Sequence, residues 1–333
     1  MAANEPVNVP QTDDLEDRVE IAARTGGQRG MPWAWRRAKQ PKPIYPKMSP
    51  SRWFRELGWR HIVAVLAVLF SIYPVMYIIS SSLSGSDNLN AATFLPTNFD
   101  FSTYDELFSN PPLTPFMTWL RNSWIVSLSA AALNVALAAM AAYAFSRFRF
   151  KGRRVGLLTL LLVQIFPQFL AFVAILLIMI EIGNVFPAIG LNTLWGLMLV
   201  YLGGAIGFNT FLIKGFMDSI PNSLDESARV DGASQGLIFW RIILPLTRPV
   251  LAVIFTISFI GLFAEFLLAR TLLSSTENFT YAVGLQLFVS SDYTASWGLL
   301  SAAAVVGAAP IVATFLIAQR AIISGLTGGA VKG

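Results

Sequence analysis

The chain has 333 residues, of which 55% are apolar or aromatic and only 13% charged, and its mean hydropathy is +0.59. A soluble domain carries about a quarter charged residues, so an ordinary soluble enzyme and a disordered chain are both excluded. No cysteine is present, which removes disulfides, thiolate metal sites and a cysteine nucleophile, while a net charge of +5 in so apolar a chain reads first as membrane topology and only second as affinity for nucleic acid.

Residues 1–60 differ from all that follows. Their first half is acidic, with Glu5, Asp13, Asp14, Glu16, Asp17 and Glu20 against Arg18, Arg24 and Arg29, and has no sustained apolar period. It reads as a partly disordered cytoplasmic tail. From Arg36 to Arg60 the balance reverses, and basic residues alternate with Trp33, Trp35, Trp53 and Trp59 at its edges and within it. That composition suits an anionic leaflet surface. The polar stretch ahead of the first apolar run does not read as a secretory signal.

Six apolar stretches follow, at 61–83, 122–145, 155–180, 194–213, 249–272 and 297–319. Each is near the roughly 20 residues that cross about 30 Å of hydrocarbon as a helix. The expected fold is therefore an all-α, multi-pass membrane protein with six transmembrane helices. The loop after the second stretch carries Arg147, Arg149, Lys151, Arg153 and Arg154 without an acid, whereas Asp87, Asp100, Asp105, Glu106, Glu181, Glu277 and Asp292 fall in the alternate loops. By the positive-inside rule both termini are cytoplasmic. The surplus charge is then topology, and no nucleic-acid partner is expected.

Several stretches carry helix-weakening residues: Pro74, Pro167 and Pro310, and the cluster Gly203, Gly204 and Gly207. A bundle interior can re-satisfy the backbone groups they free. A hinge or path and ordinary small-residue packing fit equally well. Gln164, Gln168 and Asn209 belong against protein or a cavity rather than lipid. Glu265 and Arg270, five positions apart on the fifth stretch, are poorly aligned for a mutual ion pair and read as facing protein or the outer surface. His61 is an interfacial residue, and with one histidine and no cysteine no metal site is expected.

The loop from Lys214 to Arg248 holds the most specific pattern. It reads Pro221-Asn-Ser-Leu-Asp-Glu-Ser-Ala-Arg-Val-Asp-Gly-Ala233, then Phe239-Trp-Arg-Ile-Ile-Leu-Pro245-Leu246. The spacing predicts two short helices. Ser223 and Glu226 form a capping box at the start of the first, and Gly232 supplies the left-handed residue that ends it. Ser234 caps the second, and Pro245 stops it at Leu244. Such an element, presenting Ala228, Ala233, Phe239 and Trp240, suits a partner's groove.

Glu226-Ser227-Ala228, with Asp231, Gly232 and Ala233 following and Ile242, Leu244 and Pro245 closing the pattern, resembles the EAA loop of ABC importer permeases, from which Ser227 departs at the middle alanine. Arg121-Asn-Ser123, the run Ala142 to Gly152, Ile189-Gly-Leu-Asn-Thr193, Tyr201-Leu-Gly-Gly204 and the tail Gln319 to Gly333 resemble the MalG-type permease family of maltose/maltodextrin (carbohydrate) ABC importers. The resemblance runs from about residue 60 to the end. It implies a type I ABC importer permease (MetI-like) fold, with a 61–320 permease domain containing the 214–248 coupling loop, and a 321–333 tail between ATPase subunits.

The same resemblance implies the partners: a MalF-like permease subunit, a MalK-like ATPase dimer, an extracytoplasmic sugar-binding protein, a carbohydrate substrate and membrane lipid. Glu226, Ser227, Ala228, Asp231, Gly232, Ala233, Phe239, Ile242, Leu244 and Pro245 would dock on the ATPase. The outer loop Phe288, Val289, Ser290, Ser291, Asp292 and Tyr293 would reach the binding protein and help release sugar. No phosphate-binding G-x-x-x-x-G-K-[ST] motif occurs in the chain, so ATP and Mg would be bound by the partner ATPase, and this subunit would be neither enzyme nor cofactor protein. A permease for another oligosaccharide, a polyol or glycerol phosphate shares these features. A membrane-embedded enzyme fits less well, since the outer acids lack a paired-carboxylate spacing, and a secondary transporter lacks a clear inverted repeat.

Overall fold

The computed structural model describes residues 50–85, 94–95, 99–109, 115–165, 167–290 and 296–330. The expectations for the tail before Pro50 and for Ser291, Asp292 and Tyr293 lie outside them, as do those for the side chains of Gln168 and of the C-terminal tail. No strand occurs among the described residues. Two compact units divide within the first long helix, at Val65 and Leu66. The first contains a turn at Pro50–Trp53 and a π segment at Phe54–Gly58 that run into α1, Trp59–Ser82.

In the second unit, α2 spans Ser102–Ser109 and α3 spans Phe116–Arg147. At 1.5 Å per residue α3 is about 48 Å long, more than the hydrocarbon core requires, so the second predicted stretch extends at both ends. It is the spine of the fold. Trp119, Val126, Ala130 and Ala131 join one buried cluster with Leu197, Phe259, Phe263, Tyr281 and Ala302. Ala138, Ala139, Ala142 and Tyr143 join a second with Ile213, Met217, Ala228, Ile238, Phe239 and Ile243. Alanines at these positions let neighbouring helices approach closely.

Among the described residues three helices are long and apolar enough to cross a membrane, Phe54–Ser82, Phe116–Arg147 and Trp297–Gln319, and two bent helix pairs bring the number to five if each is one span. The third of these helices is the apolar part of α13, Trp297–Ala330, and Pro74 and Pro310 lie inside α1 and α13 without ending them. The third stretch bends by 83° between α4, Arg153–Ile165, and the helical run that ends with α5, Phe172–Val185. Pro167 sits at this break.

The fourth stretch is not one helix. It divides into α6, Leu194–Leu202, and α7, Phe208–Asp218, around Gly203, Gly204 and Gly207. Gly207 is buried with the Gln164 side chain packed directly on its backbone, so a side chain there would displace Gln164. Gln164 also lines a mostly apolar cavity of ≈ 420 Å³ with Phe172, Met179, Gly203 and Gly204, and Asn209 contacts Ser258 Oγ at 3.5 Å.

The fifth stretch also breaks. The helix Arg248–Phe263 ends before Glu265, and a separate short helix, α11, covers Leu267–Leu272. Glu265 sits at the break and satisfies the start of the next helix: its carboxylate accepts the Leu268 and Ala269 N–H groups at 2.8 and 3.0 Å, and the Tyr201 hydroxyl at 2.7 Å. Arg270 instead lies over the Phe279 ring.

Candidate coupling site

The segment between α7 and the Arg248–Phe263 helix begins with α8, Asn222–Val230. Its start differs from the expected capping box. Pro221 is the cap residue and no side chain caps the helix. The helix starts one residue before Ser223, whose hydroxyl is thereby carried into the first turn. The end is as the sequence predicts: Gly232 has φ +82°, Ala233 N–H reaches Ala228 O at 2.9 Å and Gly232 N–H reaches Arg229 O at 3.0 Å, a Schellman ending.

The second helix, α9 at Gln235–Ile238, is capped by Ser234, whose hydroxyl accepts Leu237 N–H at 3.3 Å. Pro245 does not stop it. The path continues as a π segment, Phe239–Ile243, and a last turn, Leu244–Leu246. The wider π turn moves away the carbonyl that a proline ring would strike. The break falls at Thr247, where the path turns by 75° into α10, Arg248–Phe263.

α8 has two faces. Leu224, Glu226, Ser227 and Val230 are exposed, Val230 at 88%, and Asp231 and Gly232 are exposed beyond its end. Asp225 and Ala228, three apart and hence on one side of the helix, are buried. Phe239 is buried too, 4.9 Å from the Tyr143 ring, while Trp240 beside it is 59% exposed. Ala233, Ile242, Leu244 and Pro245 are half-buried. The motif therefore holds two kinds of residue. Ala228 and Phe239, expected to face a partner, instead anchor the loop to its own chain.

That anchor is partly ionic. Arg147, the last residue of α3, places Nε 2.6 Å from Asp225 Oδ2, with both side chains nearly inaccessible, 4% and 2%. Its guanidinium also donates to Ile220 O at 3.0 Å. Ser146 Oγ donates to Asp218 at 2.7 Å, and the Tyr143 hydroxyl donates to Gln235 Oε1 at 2.9 Å. The sequence reading gave Arg147 only a topological part and Asp225 none; the signal for Asp225 was its i, i+3 relation to Ala228. Among the described residues no group of three His, Asp or Glu side chains could hold a metal ion.

At the other end of α3 a hydrogen-bonded hub forms. Trp119 Nε1 donates to Thr276 O at 2.8 Å, Asn122 donates to Glu277 O at 2.8 Å, and Ser123 Oγ accepts Tyr281 N–H at 2.7 Å. Asn192, at φ +56°, receives the Ser274 and Ser275 N–H groups on Oδ1 at 3.0 and 2.9 Å. From this hub α12, Tyr281–Leu287, leads to the predicted outer loop. Phe288 is buried against Trp119, whereas Val289 and Ser290 are exposed.

Apolar helices broken at glycine, proline and a capping glutamate, with a two-faced helical loop tied to the spine, describe a multi-pass all-α membrane protein. Residues 134–327 match the family model described as binding-protein-dependent transport system inner membrane component. The chain is 38% identical to the galactooligosaccharides transport system permease protein GanQ of Bacillus subtilis over 86% of its own length and 99% of that protein's. It is 40% identical to the maltose/maltodextrin transport system permease protein MalG of Vibrio parahaemolyticus, over 83% and 96%. The crystal structure of a bacterial ABC transporter involved in the import of the acidic polysaccharide alginate contains a chain with the same fold, at TM-score 0.69 and 24% identity over 83% of this chain and 99% of that one. The chain belongs to the binding-protein-dependent transport system inner membrane component family: it is a non-catalytic, inner-membrane permease subunit of the ABC importer class.

Proposed function

We propose that this subunit pairs with a second, MalF-like permease and a MalK-like ATPase dimer to import neutral oligosaccharides delivered by an extracytoplasmic binding protein, with malto-oligosaccharides as the substrate. ATP and Mg belong to the ATPase. The chain crosses the membrane six times with both termini inside, and its 61–320 region is the permease domain. The observation that carries the coupling reading is the division of α8: a buried Asp225–Ala228 side locks it to α3, leaving Glu226, Ser227 and Val230 outward. A helix fixed on one side and exposed on the other can pass a partner's displacement to the bundle, whose two arrangements are biased by ATP inside and loaded binding protein outside. Val289 and Ser290, with the residues that follow, form the outer contact. The similarity to GanQ supports a second substrate reading, galactooligosaccharides.

The test is binding-protein-dependent ATPase activity of the reconstituted complex over a panel of maltodextrins and galactooligosaccharides. Stimulation by maltodextrins is expected, and stimulation by galactooligosaccharides alone selects the second reading. Glu226→Lys and Val230→Asp, both on the exposed face, are expected to leave the subunit in the membrane and uncouple hydrolysis from sugar. Normal coupling in both variants overturns the docking reading.

A further inference from the structure

Beside the coupling loop, the turn after α3 and the start of α4 enclose a cleft of ≈ 450 Å³ with α7, lined by Phe150, Arg153, Arg154, Val155, Leu157 and Lys214 around Gly152. Its chemistry is divided. Three cations and no carboxylate line it, together with three large apolar side chains. The nearby acids are otherwise engaged or lie on the adjoining polar cleft: Asp218 pairs with Lys214, Asp225 with Arg147, and Glu226 borders that neighbouring space. Arg154 has no ion-pair partner among the described residues, and Arg153 donates only to the Ser146 carbonyl, at 3.4 Å.

From this cleft an apolar stripe runs along α4. Val155, Leu158 and Leu162, at helical spacings of three and four, are each more than half exposed. Seven residues of helix carry the stripe about 10 Å from the charged end. A soluble anion would use the cations and leave the stripe bare; an amphiphile with an anionic head uses both.

We propose that this cleft holds the headgroup of one anionic glycerophospholipid of the inner leaflet, with phosphate against Arg153 and Arg154, beside the Lys214–Asp218 pair, and an acyl chain along Val155, Leu158 and Leu162. The proposal rests on the membrane reading above, which places the loop on the cytoplasmic side. The lipid would wedge between the turn that follows Arg147 and α7, and so bear on the base of the coupling loop.

The assembled importer, reconstituted in nanodiscs of mixed phosphatidylglycerol and phosphatidylcholine and released into detergent, is examined by native mass spectrometry. Wild type is expected to retain phosphatidylglycerol in preference to phosphatidylcholine. Each cation removed, as in Arg154→Gln and in the Arg153→Gln/Arg154→Gln pair, weakens that retention about fivefold, and the Arg153→Lys/Arg154→Lys pair keeps it. Retention unchanged in the Gln variants, equal retention of both lipids, or displacement of the lipid by inorganic phosphate overturns the site. Sugar-stimulated ATPase activity in the same preparation reports on the transport reading independently.

Discussion

Arg147 and Asp225 meet 2.6 Å apart, both withdrawn from solvent, at the joint between the end of the spine helix and the first helix of the coupling loop. Removing one member of a buried ion pair leaves the other uncompensated, at a cost of about 3 to 5 kcal/mol. Asp225→Asn and Arg147→Gln are therefore expected to lower the melting temperature of the complex and to loosen the coupling between sugar and ATP hydrolysis. The reversed pair, Arg147→Asp with Asp225→Arg, is expected to retain more of both than the summed losses of Arg147→Asp and Asp225→Arg made singly predict, the mark of directly interacting residues. Strict additivity in that cycle refutes the joint.

Gly232 tests backbone and contact separately. Its φ of +82° is left-handed, and a Cβ there would meet nothing within 4 Å. The cost of a side chain is then conformational only, about 1 to 2 kcal/mol. Gly232→Asn should retain most of the coupled ATPase activity, because asparagine tolerates this region, and Gly232→Val should lose it. Equal behaviour of the two variants counts against the helix-ending part assigned to this residue.

Asn192 carries the outer hub with its side chain as well as its backbone. Gly there keeps the left-handed conformation and loses the hydrogen bonds to Ser274 and Ser275, about 2 kcal/mol for the pair. Ala loses both, with about 1 kcal/mol more. The expected order of melting temperature is Asn, then Gly, then Ala, read by the thermal unfolding of the purified complex.

Gly284 packs so closely on Trp119 that an added Cβ would fall inside the indole ring's contact distance, and that indole is fully buried and hydrogen-bonded to Thr276. Gly284→Ala is expected to destabilise by about 1 to 3 kcal/mol through overpacking. Gly236→Ala, which meets nothing within 4 Å and lies in a helix, should keep or slightly raise the melting temperature and serves as its control.

The long helices were legible from hydropathy, because a continuous apolar run has few alternatives in lipid. The cluster Gly203, Gly204 and Gly207 was legible as helix-weakening, with hinge and packing equally open, but the break at Glu265 was not, since a carboxylate that caps a helix looks in sequence like a stray charge. Gly232 and Ser234 could be placed because caps are local. The cap expected at Ser223 falls two residues earlier, at Pro221, enough to move the Ser223 hydroxyl from cap to first turn. The coupling loop was legible as a pattern, but its division into anchor and exposed face depended on Arg147 and Tyr143, residues distant in sequence whose approach only the fold reveals.

The 75° elbow at Thr247 joins the loop to α10 at nearly a right angle. On the proposed coupling reading, a push along the loop's second helix would meet α10 side-on rather than end-on. α10 extends 16 residues from that elbow, about 24 Å, so one continuous helix packed on α3 joins the loop that carries Trp240 to Phe263, beside the Glu265 break.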